Sequence, residues 1–287
     1  MDELYLRISS ITKQRLYQYM KDNNIPLLKY HFNLFFYHCV KMNKIQVISH
    51  HFTNHKIEGL TIMDEYGISF SYEKDNPKVK QNFTLCHELG HFVLNHNGTC
   101  FTESVENQES LLEREANIFS ALVLMPDIVL LSKIYYSCDS FQEVQESLEV
   151  SKQALYFRLI DLLRVYFPNG EVKIKHAVND YLETNNSSIR SLFHEIKQQL
   201  IDEFNQYSAS LKVQTQNRIF EQGFVSSQEL PELIDQNNWK ELRESIDNLK
   251  IWLIYNKGKS VAYAWDSTKI SDQEARRKAE LQLLLMQ

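Results

Sequence analysis

The sequence predicts an α+β protein, and three observations carry that expectation. Three short runs of strand character lie between residues 44 and 72, longer stretches around them repeat apolar residues at helical spacing, and a hairpin-like pair of runs lies near the C-terminus. With 287 residues, 43% of them hydrophobic, the chain can bury one large core or two smaller ones.

The spacing predicts helices over 11–22 and 26–42, with Pro26 suited to the first turn of the second. Strands follow over 44–49, 59–63 and 67–72. The last alternates Ile68, Phe70 and Tyr72 with Ser69 and Ser71, and Asp64-Glu65-Tyr66-Gly67 reads as the turn before it. Further helices are expected over 79–95, 109–124, 127–137, 140–148 and 151–165. Pro126 stops the second of these, and Ser151 is suited to cap the last. Pro168-Asn169-Gly170 is a strong break, so the expected boundary separates a domain at 1–168 from an accessory module at 169–287. That module is expected to hold helices over 187–207 and 228–248, a hairpin of 251–255 and 260–265 around Asn256-Lys257-Gly258-Lys259, and a final helix over 271–286 capped by Ser271.

A balance of 31 basic against 37 acidic residues argues against a protein built to coat nucleic acid. Cys39, Cys86, Cys100 and Cys138 contain no Cys-x-x-Cys pair and read neither as a disulfide framework nor as a thiolate zinc site. The N-terminus lacks the basic and then apolar pattern of a signal peptide, and the richest apolar run, residues 32–40, is too short to span a bilayer. A soluble, cytoplasmic protein with no membrane partner is the expectation.

Chemistry is concentrated in His87-Glu88-Leu89-Gly90-His91. Residues four apart share one helix face, so His87 and His91 can aim imidazole nitrogens at a single cation. Glu88 lies beside the first of them, where a carboxylate can take a proton from water and pass it to a leaving amine. Phe83, Leu85, Leu89, Phe92 and Val93 surround the motif, and burying two histidines and a glutamate among them requires a compensating role. The blander alternative is a helix whose histidines only satisfy local hydrogen bonds.

A catalytic zinc needs a third protein ligand. Glu113 and Asn117, four apart, share a small face with Ala116, Ser120 and Ala121, whereas Glu115 falls beside Ile118, Phe119 and Leu122. This places Glu113 on the metal, with Asn117 hydrogen-bonding a ligand from behind. Spacing leaves Glu115 open as the third ligand, and leaves a solvated carboxylate at the helix start as the other reading of Glu113.

The run Phe83-Thr84-Leu85-Cys86-His87-Glu88-Leu89-Gly90-His91, followed by Glu113-x-x-Ala116-Asn117-x-Phe119 and Leu122-Val123-Leu124-Met125-Pro126, resembles the ImmA/IrrE family of metallo-endopeptidases. The resemblance spans about residues 40–165, with Val150-Ser151-Lys152-Gln153-Ala154 and Arg158-Leu159 similar to the family's closing helix. It implies a minimal thermolysin-like zincin domain, Zn2+ held by His87, His91 and Glu113, and Glu88 as the catalytic base. It also implies a protein substrate, a cytoplasmic transcriptional repressor of a prophage, mobile element or stress regulon. A non-catalytic repressor-binding or DNA-binding regulator on the same fold is the alternative. The residues beyond Gly170 match no feature of that family.

Other signals are weaker. Residues 140–164 could pass for a helix-turn-helix, but Lys152, Gln153, Arg158 and Arg164 supply little for a DNA reader, so core packing is the expectation. His96, five residues after His91, is expected at the surface or in a loop. His50, His51 and His55 also read as surface, with a chance role in binding substrate. From Ser187 to Gln287 there are 13 basic and 14 acidic residues, so no strong field arises there. Trp252, Tyr255, Tyr263 and Trp265 are expected to pack the hairpin against the last helix.

Overall fold

The first helix, α1 (Glu3–Asp22), begins at Glu3 rather than at residue 11 and buries Ile8, Thr12, Leu16 and Met20 along one stripe. The single helix expected over 26–42 is broken. A short 3-10 turn (Leu27–Lys29) leads to extended backbone at Tyr30, and α2 (Phe32–Met42) then starts with the His31 side chain accepting from the Asn33 N–H. The break has a tertiary cause. Tyr30 is buried, and its hydroxyl donates to the carbonyl of Val123 at 2.6 Å, which an unbroken helix could not provide.

These coordinates come from a computed structural model that describes residues 3–52, 57–104 and 110–285. The three expected strands form as β1 (Gln46–His50), β2 (Ile57–Asp64) and β3 (Gly67–Glu73), the last two joined by the Asp64–Gly67 turn. After α3 (Lys78–Val93), a fourth strand, β4 (Cys100–Ser104), completes a sheet of order β1-β3-β2-β4 in which only the β1–β3 pairing is parallel. Sequence reading misses β4, a five-residue run too short to show a reliable period. His55 lies outside the described residues.

Helices α4 (Leu111–Leu124), α5 (Asp127–Leu131), α6 (Phe141–Ser147) and α7 (Lys152–Tyr166) follow in the expected order, with a π turn over Ser132–Tyr136. Their starts obey local chemistry. Ser110 and Ser151 accept from the backbone N–H three residues on, and Ser140 with Glu143 forms a reciprocal capping box. Within the helix pair α6–α7, Arg158 is 2% exposed and ion-paired to Asp127, so it is not presented to a nucleic acid.

The expected domain boundary at 168 is not where the chain divides. Compact units run from Met1 to Tyr207 and from Ser208 to Gln287. Pro168-Asn169-Gly170 is only a turn, because α8 (Glu171–Leu182) and α9 (Ser187–Gln206) bury Ile174, Val178, Tyr181, Ile189, Phe193 and Ile196 in the same core as α5 and α7. Helix α8 was absent from the expectations, although Ile174, Ala177, Val178 and Tyr181 repeat at helical spacing.

The second unit holds α10 (Leu211–Gln222), β5 (Phe224–Ser226), α11 (Asn238–Ser245), β6 (Leu249–Asn256), β7 (Lys259–Asp266) and α12 (Asp272–Leu285), with an antiparallel sheet of order β5-β7-β6. The hairpin forms where expected, turning through Lys257 and Gly258 at positive φ. Tyr263 and Trp265 pack with Ala275, Ala279 and Leu283 of α12, but Trp252 and Tyr255 stay exposed. The helix expected over 228–248 is confined to α11, with a 3-10 turn at Pro231–Ile234; proline at 231 and the non-helical Leu230 before it cut the helical run. Among the described residues, no single helix is long and apolar enough to cross a membrane.

Candidate metal centre

Helix α3 carries His87, Glu88 and His91 into the interior, where each is at most 1% exposed. Helix α4 approaches it closely because Gly90 faces Ala116: a β-carbon at Gly90 would stand 3.2 Å from the Ala116 Cα. Ser120, on the same small face, donates its hydroxyl to the Phe83 carbonyl at 3.0 Å. One turn before Ala116, this contact brings Glu113 across from the two imidazoles.

The three side chains converge. Nε2 of His87 and Nε2 of His91 are 3.1 Å apart; Glu113 places Oε2 2.9 Å from the former and Oε1 3.6 Å from the latter. A tetrahedral cation bound at about 2.0–2.1 Å separates its ligand atoms by roughly 3.3–3.4 Å, so these edges match such a site.

Hydrogen bonding behind the rings sets their protons. Asn117 Oδ1 accepts from Nδ1–H of His87 at 2.9 Å, which leaves Nε2 as the inward nitrogen. His91 Nδ1 lies 2.8 Å from His96 Nδ1, and His96 Nε2 lies 2.9 Å from Glu115 Oε2. A carboxylate can only accept, so His96 donates from Nε2, accepts at Nδ1, and receives the Nδ1–H of His91. Nε2 of His91 is again left bare and inward. Two lone pairs 3.1 Å apart beside a carboxylate repel unless a cation lies among them. Without a metal a proton fills that role. Burial alone would lower the pKa of His87, but its hydrogen bond to Glu113 and the charges of Glu103, Glu88 and Glu113 raise it to about 9. His91 is lowered to about 3 by burial and by His87 and His96, and stays neutral.

Glu88 sits against β2. Thr61 donates its hydroxyl to Oε2, while Oε1 is buried with no hydrogen-bond partner. Burial lifts this carboxyl to about 8, against the lowering influence of His87 and Thr61. Beside His87 and Glu113 opens a cavity of about 570 Å³, also lined by Phe83, Glu103, Asn117 and Phe157.

The residues singled out in the sequence thus fall in one place, with two differences. Glu115, the alternative third ligand, is turned away from the imidazoles and held by His96 and Arg7. His96 lies in the loop after α3, one of the two places expected for it, but is buried there behind His91. Its five-residue offset is helical only as far as Val93; Asn95 takes a positive φ and turns the chain back, which helix geometry could not anticipate. Sequence reading also missed Thr61, Gly59 and Phe101, whose ring stacks on His91 at 4.6 Å. A glycine inside a strand is a known sign of close approach, and Gly59 could have been found that way. His50 and His51 lie on or after β1, with His51 2.7 Å from Asp75.

A buried helix bearing His-Glu-x-x-His, met by a carboxylate from the next helix beside a small sheet, defines a metallopeptidase-type domain. Residues 40–160 match the peptidase family described as IrrE N-terminal-like domain, and this stretch is similar to the ImmA/IrrE family. None of the curated proteins matches the chain.

Proposed function

We propose that this chain is a zinc-dependent endopeptidase that cuts a protein substrate, a cytoplasmic transcriptional repressor of a prophage, mobile element or stress regulon. One observation carries the catalytic reading: His87, His91 and Glu113 offer ligand atoms all within 4.8 Å of one another, beside a buried carboxylate with an unpartnered oxygen. The substrate class is supported by the family resemblance alone.

His87, His91 and Glu113 would hold the zinc, which when bound supplies a Lewis acid for the scissile carbonyl and lowers the pKa of water. Glu88, lifted to about 8 by burial, is suited to take the proton of the attacking water and deliver it to the leaving amine nitrogen. Thr61 fixes one oxygen of that carboxyl and leaves the other for the proton. Asn117 holds the His87 ring in the tautomer with a bare Nε2. Phe83 and Phe157 give the neighbouring cavity apolar walls that can take a substrate side chain.

The test is incubation of the full chain with a repressor encoded beside it, with and without chelator, and comparison with Glu88→Gln. The expected result is cleavage that chelator abolishes, and a variant that keeps its metal while losing cleavage by at least about a hundredfold. Undiminished cleavage by the variant would sink the assignment. A non-catalytic repressor-binding role would leave the buried Glu88 without a use.

A further inference from the structure

The imidazole of His91 is the end of a longer chain of contacts. His91 donates to His96, His96 donates to Glu115, and the guanidinium of Arg7 on α1 pairs with the other oxygen of Glu115. His96 and Glu115 are buried, at 7% and 5% exposure, so little solvent competes for their contacts. Arg7 lies outside the stretch that matches the family, on a helix that packs against α4.

We infer that Arg7 is a positioning residue of the metal centre, acting through Glu115 and His96 on the orientation of His91. The physical reason is that each contact fixes the next. The guanidinium of Arg7 grips one oxygen of Glu115 and ties the carboxylate to α1. The other oxygen holds Nε2 of His96 at 2.9 Å, and Nδ1 of His96 meets Nδ1 of His91 at 2.8 Å. Without the guanidinium the carboxylate is free to turn, and the two rings behind the metal-facing nitrogen turn with it. The helix before the family-like stretch is therefore part of the metal centre. Outer groups of this kind change metal affinity by about 10–100-fold when removed.

The inference rests on the zinc-site reading, and its test separates the two. Metal-stripped full-length protein is titrated with Co2+, read by its visible spectrum and by competition with a chromophoric chelator. Wild type is compared with His87→Ala, Arg7→Ala, Arg7→Lys, Glu115→Gln and the Arg7→Ala/Glu115→Gln double variant. Wild type is expected to bind one ion and His87→Ala to lose it. Arg7→Ala is expected to weaken binding by about tenfold with a shifted spectrum, Glu115→Gln by about 10–100-fold, and Arg7→Lys to recover most of the loss. The double variant should bind no more weakly than Glu115→Gln alone, because Arg7 acts only through that carboxylate. Arg7 is half exposed, so its variants are expected to fold; circular dichroism checks this, and a misfolded Arg7→Ala leaves Arg7→Lys against Glu115→Gln to decide. Wild-type affinity and spectrum in Arg7→Ala, or full additivity in the double variant, would overturn the inference alone. A wild type that takes up no cobalt would overturn the metal centre and the inference with it.

Discussion

Gly59 lies directly against the carboxylate of Glu88: a β-carbon on this glycine would overlap Oε1 of Glu88 and the methyl of Thr84. The middle of β2 is therefore shaped to admit the one acidic side chain that α3 points at the sheet. A Gly59→Ala variant must push the strand or the carboxylate aside. It is expected to lose about 1–3 kcal/mol of stability through overpacking, and to lose proteolysis while still binding metal. Denaturant unfolding and a cobalt titration check the two halves.

Asn117 tests the other imidazole. Removing its side chain frees His87 Nδ1 and lets the ring rotate or change tautomer. Asn117→Ala should weaken metal binding by about 10–100-fold, while Asn117→Asp, which still accepts that proton, should hold affinity near wild type. Chelator competition gives the answer.

A proton and a metal compete at His87. Its pKa is raised to about 9 in the metal-free protein, so below that pH the metal must displace a proton. Apparent affinity should fall about tenfold per pH unit on going down from pH 9, and binding at pH 7.5 should release close to one proton from this site. Calorimetry in buffers of different ionisation enthalpy measures that release. The linked effect on the metal-free fold has a definite sign. A histidine whose pKa is raised on folding adds stability below its ordinary value of about 6.5, and that contribution fades as pH rises through about 9.

Asp127 holds the helices behind the site. It is buried between Lys13 of α1, at 2.6 Å, and Arg158 of α7, and Lys13 also reaches Glu203 of α9 at 2.8 Å. Burial alone would raise the Asp127 carboxyl, but Lys13 and Arg158 outweigh it and hold it below the usual range. Asp127→Asn leaves the buried Arg158 without its ion pair and Lys13 with Glu203 alone, so a loss of about 3–5 kcal/mol is expected in denaturant unfolding. For the wild type, a depressed carboxylate contributes stability above the ordinary value of about 3.9, lost as pH falls through the folded pKa. Acid titration of the unfolding midpoint should show that loss in wild type and not in the variant.

Spacing left Glu113 and Glu115 both open as the third donor, and only the packing of α4 on α3 through Gly90, Ala116 and Ser120 brings Glu113 across. The imidazole pair was legible because its geometry is local: His87 and His91 meet by helical spacing alone. The strands β2 and β3 and the C-terminal hairpin were legible for the same reason, since alternation and a turn motif are read within a dozen residues. The break at Tyr30, the reach of the first unit to Tyr207 and the burial of His96 were not, because each depends on a partner far along the chain or on one residue's positive φ.

By itself, then, the order of residues determined the paired imidazole donors and the carboxylate of Glu88 beside them, because one helix turn defines all three. Only the tertiary structure decided what stands behind those donors. Arg7 meets Glu115 across 108 positions, Gly59 meets Glu88 across a strand–helix contact, and Asp127 joins three helices. No periodicity encodes such pairings, since they follow from how helices and sheet pack and not from what lies a turn or two away in sequence.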